Sequence, residues 1–516
     1  MHLLTILLGA YTAHAYKILA IFPCNGPSHM GVNKQVAMVL SQRGHQVDVI
    51  SHFPLEKPYP NYSDILRLPD IGLATFDYEV FTSTELFEED VKRQHGVLCH
   101  YLGLPDVSQL MAREQKRLTY DLLLVNDVTT TQCFTAIGYL LKIPVVNIVT
   151  TKLYPRMESF VGNPLNLALP SSNCWDTQDM TLWNRMMNVK NNLAEIHFYA
   201  KLMEDEEKTM RSYLGPDIPS FKSLEKMVSL ILTNSHYTFN GIMPKVPAVV
   251  EIGGIQIVND TSTMDSDLRK VLDNSNEGFI YFALGSMTLI ETFPKELLQK
   301  FFNVFEKLST VNVIMRVPKP EFMPNIVPDN VLMKSWLPQQ KILQHKNIKA
   351  FVTHGGANGI QEAIYYAVPM ICIPLYFEQN MNCEIVNRKR IGMQLSLHDS
   401  QSDFEKTLKD IIFHSVYKEK IRALSVLFKD RPRSPSEEAA YWIEYIARHG
   451  PHALRSPIVD LPWWQLEILD IYAVILLCFL LVLALSICLL RFFFIILIRM
   501  KRASPSKMRQ LKKKSE

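Results

Sequence analysis

From Ile471 to Leu490 the chain runs twenty residues without a charged side chain, and Phe492–Ile498 adds seven more beyond Arg491. About 20 apolar residues span the hydrocarbon core of a bilayer, and a helix apolar on every face has no place on the surface of a soluble protein. The stretch 471–498 is therefore expected to cross a membrane. Trp463 and Trp464 stand just before it, where aromatic rings favour the interface, and a basic tail stands just after. From Arg499 to the end there are eight Lys or Arg residues and one acid, Glu516. At the other end, Met1–Ala15 is a short apolar run closing on Ala13-His14-Ala15, the small-x-small pattern of a signal-peptide cleavage site, although no Lys or Arg precedes it. Signal peptide in front and positive charge behind imply a single-pass type I protein with a luminal body and a cytosolic tail at 499–516. That tail ends Lys513-Lys514-Ser515-Glu516, a di-lysine pattern that fits retrieval to the endoplasmic reticulum membrane.

At 516 residues the chain exceeds one ordinary domain. A net charge of +3 carries no footprint of a nucleic-acid binder. Eight cysteines are present; Cys478 and Cys488 fall in the apolar span, and the other six show no CxxC pair. Neither a zinc site nor a disulfide scaffold is indicated by that spacing. The sequons at Asn61 and Asn259 suit luminal exposure.

The body reads as α/β. Strand patterns at Lys17–Phe22 and Gln46–Ser51 flank a Pro/Gly loop (Pro23–Gly31) and a helical stretch (Asn33–Arg43), the βαβ unit of a parallel sheet. The rhythm returns at Tyr120–Val125 and Pro144–Val149. Residues 155–213 read as helical and rich in Met and aromatics, an acceptor-side insertion. A Pro/Gly-rich linker at Pro244–Gly254 separates a domain at 16–243 from a second at 244–457. There strands recur at Gly278–Ala283, Val311–Arg316, Val331–Ser335, Ile348–Thr353 and Pro369–Pro374. Two doubly wound, Rossmann-like domains in tandem place a cleft between the carboxyl ends of their strands.

The most informative block runs from Phe351 to Gln379. A strand ends at His354, Gly355 and Gly356 permit a sharp turn, and a helix begins near Ala357. Unpaired N–H groups at such a helix start suit a diphosphate. Asn358 and Glu362, four apart, share a face, and Glu362 can accept hydrogen bonds from a ribose diol. Glu378 and Gln379 follow the next strand, where a carboxylate and an amide can grip sugar hydroxyls.

This block resembles the signature of the UDP-glycosyltransferase family, the glucuronosyl and glucosyl enzymes, and the chain is most like their insect members. The resemblance runs from about Lys17 to Pro457. It implies the two-domain GT-B fold, with the first domain binding the acceptor and the second the UDP-sugar. Phe282-Ala-Leu-Gly-Ser286 resembles the loop whose serine meets the phosphates. Ser335-Trp-Leu-Pro-Gln339 resembles the segment in which a tryptophan, here Trp336, stacks on uracil and a glutamine, here Gln339, assists. In the first loop His29 stands where the family carries its general base. The partner acid is less direct: relatives place it after the strand at Asp121, and Asp127 is the candidate, one residue off, while the position before Cys133 holds Gln132. Glu378 departs from the usual Asp.

The resemblance implies inverting transfer of a hexose, glucose first, from a UDP-sugar to a small lipophilic hydroxyl compound, of detoxification type. The UDP-sugar is a co-substrate, and no cofactor or metal is expected. The partners are donor, acceptor and bilayer; association of copies of the chain stays open. Two other readings remain: a membrane-anchored UDP-sugar or lipophile binder that has lost turnover, and an epimerase of the same fold.

Overall fold

The computed structural model describes residues 15–69, 75–83, 86, 89, 93, 96–127, 131–167, 181–258, 264–324, 327–376 and 378–512, with only the backbone beyond residue 502. The expected signal peptide, the second sequon at Asn259 and the final di-lysine lie outside the described residues, apart from Ala15.

Every strand in the body belongs to one of two parallel sheets. In β1 (Lys17–Phe22), Ile18, Ala20 and Phe22 enter one core while Leu19 and Ile21 enter another, each at most 1% exposed. Alternate side chains of a strand point to opposite faces, so a run apolar at every position is buried on both. Each such burial contributes ~1.5–3 kcal/mol. The same logic builds β2 (Gln46–Ser51), β4 (Leu122–Asn126), β5 (Val145–Val149) and β6 (Val228–Thr233). With the edge strand β3 (Tyr62–Arg67) and β7 (Val249–Glu251), the order is β3-β2-β1-β4-β5-β6-β7. The second sheet holds β8 (Phe279–Ala283), β9 (Asn312–Arg316), β10 (Val331–Lys334), β11 (Ile348–Thr353), β12 (Met370–Cys372) and β13 (Gly392–Gln394), ordered β10-β9-β8-β11-β12-β13. This is the doubly wound, Rossmann-like pair expected from the sequence.

The helices that matter to the site are α1 (Pro27–Gln42), α2 (Tyr78–Thr82), α3 (Gln132–Leu141), α4 (Leu182–Leu214), α5 (Ala357–Tyr365), α6 (Glu378–Arg388) and α7 (Pro435–His449). Two features depart from the boundary drawn at 243/244. Strand β7, inside the expected linker, completes the first sheet. Helix α7 then returns to that sheet, where Ala439, Ala440, Ile443 and Ile446 share a core with Ile18, Ala20 and Val36. Its Glu444 pairs with Arg43 (2.9 Å) and lies 3.0 Å from His45 Nε2. A hydrophobic stripe complementary to a distant sheet is invisible to local periodicity, which is why the linear boundary fails.

The cysteine spacing indicated no disulfide scaffold and left pairing open; Cys99 and the Cys133 of α3 are bridged, with Cα atoms 5.9 Å apart. The bond joins residues 34 apart in sequence. Closing a loop of that length in the unfolded chain contributes about 3–4 kcal/mol. Cys99→Ser is expected to lower the thermal midpoint by roughly 5–10 °C, with ellipsometric or circular-dichroism melting as the measurement; an unchanged midpoint would show that the bridge does not form.

The segment from Pro457 onward is a separate unit. Its helix α8 (Leu469–Lys512) is continuous over 44 residues. The apolar portion, Leu469–Arg502, has a mean hydropathy of 3.2 over its most apolar window. By length and composition it is able to cross a membrane, and at ~1.5 Å per residue its 34 residues exceed the ~30 Å hydrocarbon core.

Candidate active site

Both sheets reverse direction of winding at a defined point, and ligands of such sheets bind outside the carboxyl ends of the strands there. In the first sheet the point lies between β1 and β4; in the second, between β8 and β11. His29 stands in the first turn of the helix that follows β1, and the loops leaving β8 and β11 carry Ser286 and His354. All three line one cavity of about 1280 Å³. Trp336, Gln339, Gly356, Asn358, Glu362, Glu378 and Gln379 line it too. Of the residues singled out from the sequence, Gly355 stands just behind the wall and Asp127 is elsewhere.

His29 sits in the first turn of α1, because Pro27 at the first helical position starts the helix earlier than the loop reading allowed. Its Nδ1 makes a short hydrogen bond to the Thr150 hydroxyl. Gly26 makes room for the ring, since a Cβ there would stand 2.8 Å from His29 Cδ2. Burial pushes the imidazole pKa down to about 4, so the ring is neutral at neutral pH.

Asp127 is 1% exposed and does not reach His29. Its carboxylate pairs with Arg156 Nη2 at 3.0 Å and accepts from Asn147 Nδ2 at 2.8 Å. Gln132, at the other position considered for an acid, donates to the same carboxylate at 3.3 Å. Asp127 leaves β4 on the side facing β5, which carries Asn147, so its side chain turns under the sheet end. The histidine's partner comes instead from the end of β5, as a hydroxyl.

On the donor side, the Gly355 backbone has φ +89° and a Cβ there would lie 2.5 Å from Cys383 Sγ. Gly285 and Gly356 flank His354, and a Cβ on either would lie within 2.7 Å of the imidazole. These contacts explain the glycines better than the turn alone. Helix α5 begins at Gly356 with no side-chain cap, leaving its first N–H groups to the cleft. Beside it, Ser286 Oγ, His354 Nδ1 and Arg316 Nε are buried without a hydrogen-bond partner among the described residues. Buried polar atoms ordinarily have partners, so this convergence marks a site for a polar ligand. Burial, then the Arg316 charge, lowers the His354 pKa to about 4.

Arg316, absent from the sequence reading, ends β9 and braces the carbonyls of Gly285 and Ser286. Its guanidinium lies 5.9 Å from the Trp336 ring, and Trp336 is 66% exposed. A cation at the carboxyl end of a second-sheet strand was the available signal. Glu362 accepts from Gln339 Nε2 at 2.7 Å and Gln340 Nε2 at 3.4 Å. Desolvation nevertheless raises its pKa to about 7. Gln379 turns its amide oxygen back to the Leu375 N–H at 3.1 Å and the Tyr376 N–H at 3.3 Å, fixing its own loop. Burial raises the Glu378 pKa while Lys152 opposes it.

Contacts from two places in the chain stitch the halves together at the cleft. Asn358 donates to the Ser28 carbonyl at 2.9 Å and accepts from Asn234 at 2.7 Å, and Asn234 also donates to the Thr150 carbonyl at 3.0 Å. Asn234 and Thr150 were likewise not singled out from the sequence. A second stitch is the 76–82 segment: the Phe76 N–H bonds Met287 O at 2.8 Å, and Phe81 stacks on Tyr376 at 5.7 Å. On the side of the first half, Ala194, Phe198 and Tyr199 of α4 line the cavity.

Comparison with known proteins gives a match to the family described as UDP-glucoronosyl and UDP-glucosyl transferase over residues 88–503. UDP-glucosyltransferase 2 of Dactylopius coccus is 32% identical over 480 residues, 91% of each chain. UDP-glucuronosyltransferase 1A1 of Rattus norvegicus is 28% identical, over 91% of this chain and 89% of its own. The human 2-hydroxyacylsphingosine 1-beta-galactosyltransferase is 29% identical, over 90% and 86%. Among solved structures, the glycotransferase of kitacinnamycin superposes with a TM-score of 0.56 at 16% identity, covering 85% of this chain and all of that one; that likeness shows the shared GT-B fold.

Proposed function

This chain belongs to the UDP-glucuronosyl and UDP-glucosyl transferase family and is a glycosyltransferase, and on that premise we propose that it transfers a neutral hexose, glucose first, from a UDP-sugar to the hydroxyl of a small lipophilic acceptor with inversion. The observation that carries this reading is the convergence of buried, unpartnered Ser286 Oγ, His354 Nδ1 and Arg316 Nε at the open start of α5. Such a set complements the diphosphate, and most strongly the charge that grows on it as UDP departs. Trp336 offers a face to uracil and Glu362 a carboxylate to the ribose diol, with Gln339 holding Glu362 in place. The acceptor oxygen attacks the anomeric carbon from the His29 side and forms the new C–O bond. The bond to the β-phosphate oxygen breaks with its electron pair, and the acceptor proton passes to His29 Nε2. These groups suffice for the step as written, with no resident cofactor or metal invoked.

The sugar end favours a neutral donor. Glu378 and, from the opposite half, Glu195 both line the cavity and both bear on Lys152 and Tyr199. A uronate placed beside Glu378 and Glu195 would be repelled by both. We assign the anchoring helix to the endoplasmic reticulum membrane with the body luminal, on the charge asymmetry around α8.

The test is product formation by membranes containing the protein, with UDP-glucose and UDP-glucuronate supplied in parallel to mixed phenols and steroids. UDP-glucose is expected to be the better donor by at least ~10-fold in kcat/KM, giving the β-anomer by NMR. Preference for UDP-glucuronate would overturn the donor assignment. That no carboxylate among the described residues bonds His29 favours one second reading, a lipophile-binding protein with little turnover; UDP binding with no transfer to any acceptor would decide for it.

A further inference from the structure

The partner of His29 is a neutral hydroxyl. As the ring takes a proton, Nδ1–H can donate to Thr150 Oγ1, but a hydroxyl carries no charge, so the attraction that a carboxylate would add to the imidazolium is missing. Asp127, the carboxylate considered for that role, is held by Arg156. Thr150 itself cannot drift toward another partner, because its backbone carbonyl is tied to Asn234. The base is therefore held in direction and, among the described residues, has no charged hydrogen-bond partner.

We propose that Thr150 is a specificity-determining positioning residue that confines this enzyme to acidic acceptor hydroxyls, phenols and their equivalents, and disfavours aliphatic alcohols. The inference rests on the reading of His29 as the base and refines the acceptor class. Burial without a nearby charge leaves the ring reluctant to take a proton. Transfer then depends on the acceptor to release it. A phenol, with a pKa near ~10 or lower when it carries electron-withdrawing groups, yields its proton early. An alkanol, close to water at ~16, does not. In each case the acceptor oxygen bonds to the anomeric carbon, UDP leaves with the electron pair, and the proton goes to His29 Nε2, or to solvent beforehand when the phenol arrives ionised.

The experiment measures transfer from UDP-glucose to a series of phenols of similar size and graded acidity, with benzyl alcohol as the aliphatic member, by membranes carrying the full chain. For the wild type, kcat is expected to rise at least ~100-fold from benzyl alcohol to the most acidic phenol. Thr150→Ser keeps the hydroxyl and is expected to keep that slope. Thr150→Asp supplies a carboxylate and is expected to raise kcat on benzyl alcohol at least ~10-fold while changing the acidic phenols little. A merely structural threonine would not flatten the slope in this way. Robust wild-type transfer with no dependence on acceptor acidity overturns the proposal, and so does a folded Thr150→Asp enzyme with an unchanged slope. Should Thr150→Asp fail to fold, the wild-type slope decides alone. No transfer to any acceptor overturns the transferase reading itself and this proposal with it.

Discussion

Replacing His29 by alanine is expected to lower kcat for sugar transfer by roughly 10²–10⁴-fold while UDP affinity is retained. A positioned base contributes through the proton in flight and touches the nucleotide not at all. In this protein the ring stands across the cleft from Ser286, His354 and Arg316, on a helix of the other half. His29→Gln serves as the control for packing against Gly26, because it fills much of the same space without a basic nitrogen. Kinetics under saturating donor, paired with UDP titration by calorimetry, separate the two effects. Transfer that persists in both variants within a few fold would remove His29 from the chemistry, and with it the argument about Thr150. Joint loss of transfer and UDP binding would instead point to a collapsed cleft, since Asn358 bonds to the Ser28 carbonyl beside the ring.

The second large effect is on stability. Asp127→Ala leaves the Arg156 guanidinium buried without its counter-charge, and breaking one side of a buried pair costs about 3–5 kcal/mol. Arg156 already has Nε and Nη1 without hydrogen-bond partners among the described residues, and it would keep only the faces of Phe160 and Tyr199 and the charge of Glu225. Asp127→Ala is therefore expected to unfold at markedly lower urea, while the surviving folded fraction retains its turnover per molecule. The double variant Asp127→Ala with Arg156→Met removes both charges and is expected to recover much of the loss. If Asp127→Ala melts like the wild type but loses turnover more than ~100-fold, the carboxylate acts in catalysis after all.

These two residues show what the sequence could and could not reveal. His29 was legible because position is local: it follows the first strand of a βαβ unit, and that strand is a buried apolar run. The donor wall was legible for the same reason, as His354 to Glu362 is one strand–turn–helix. The partner of His29 was not, because 121 residues separate it from Thr150 and strand-end side chains can turn either way. Asp127 looked plausible one residue from the expected place, and that one residue sent it toward β5 and Arg156. Edge elements escaped too. β3 presents Ser63, Asp64 and Ile65 to solvent, so it lacks the apolar run that marked β1, and β13 is only three residues long. The Cys99–Cys133 bridge and the return of α7 depend on proximity in the folded body, which no periodicity records.

The stitch through Asn358 has a consequence for binding. Helix α5 opens its uncapped start on the cleft, and its Asn358 holds the backbone of the turn that carries His29 and, through Asn234, the strand end that carries Thr150. Any tilt of α5 as the nucleotide seats is thus handed directly to the imidazole. Occupancy on one side and alignment on the other become a single equilibrium viewed from two ends, and the free-energy coupling between them is reciprocal. Nucleotide bound on one side and acceptor bound on the other are then expected to tighten each other by the same factor.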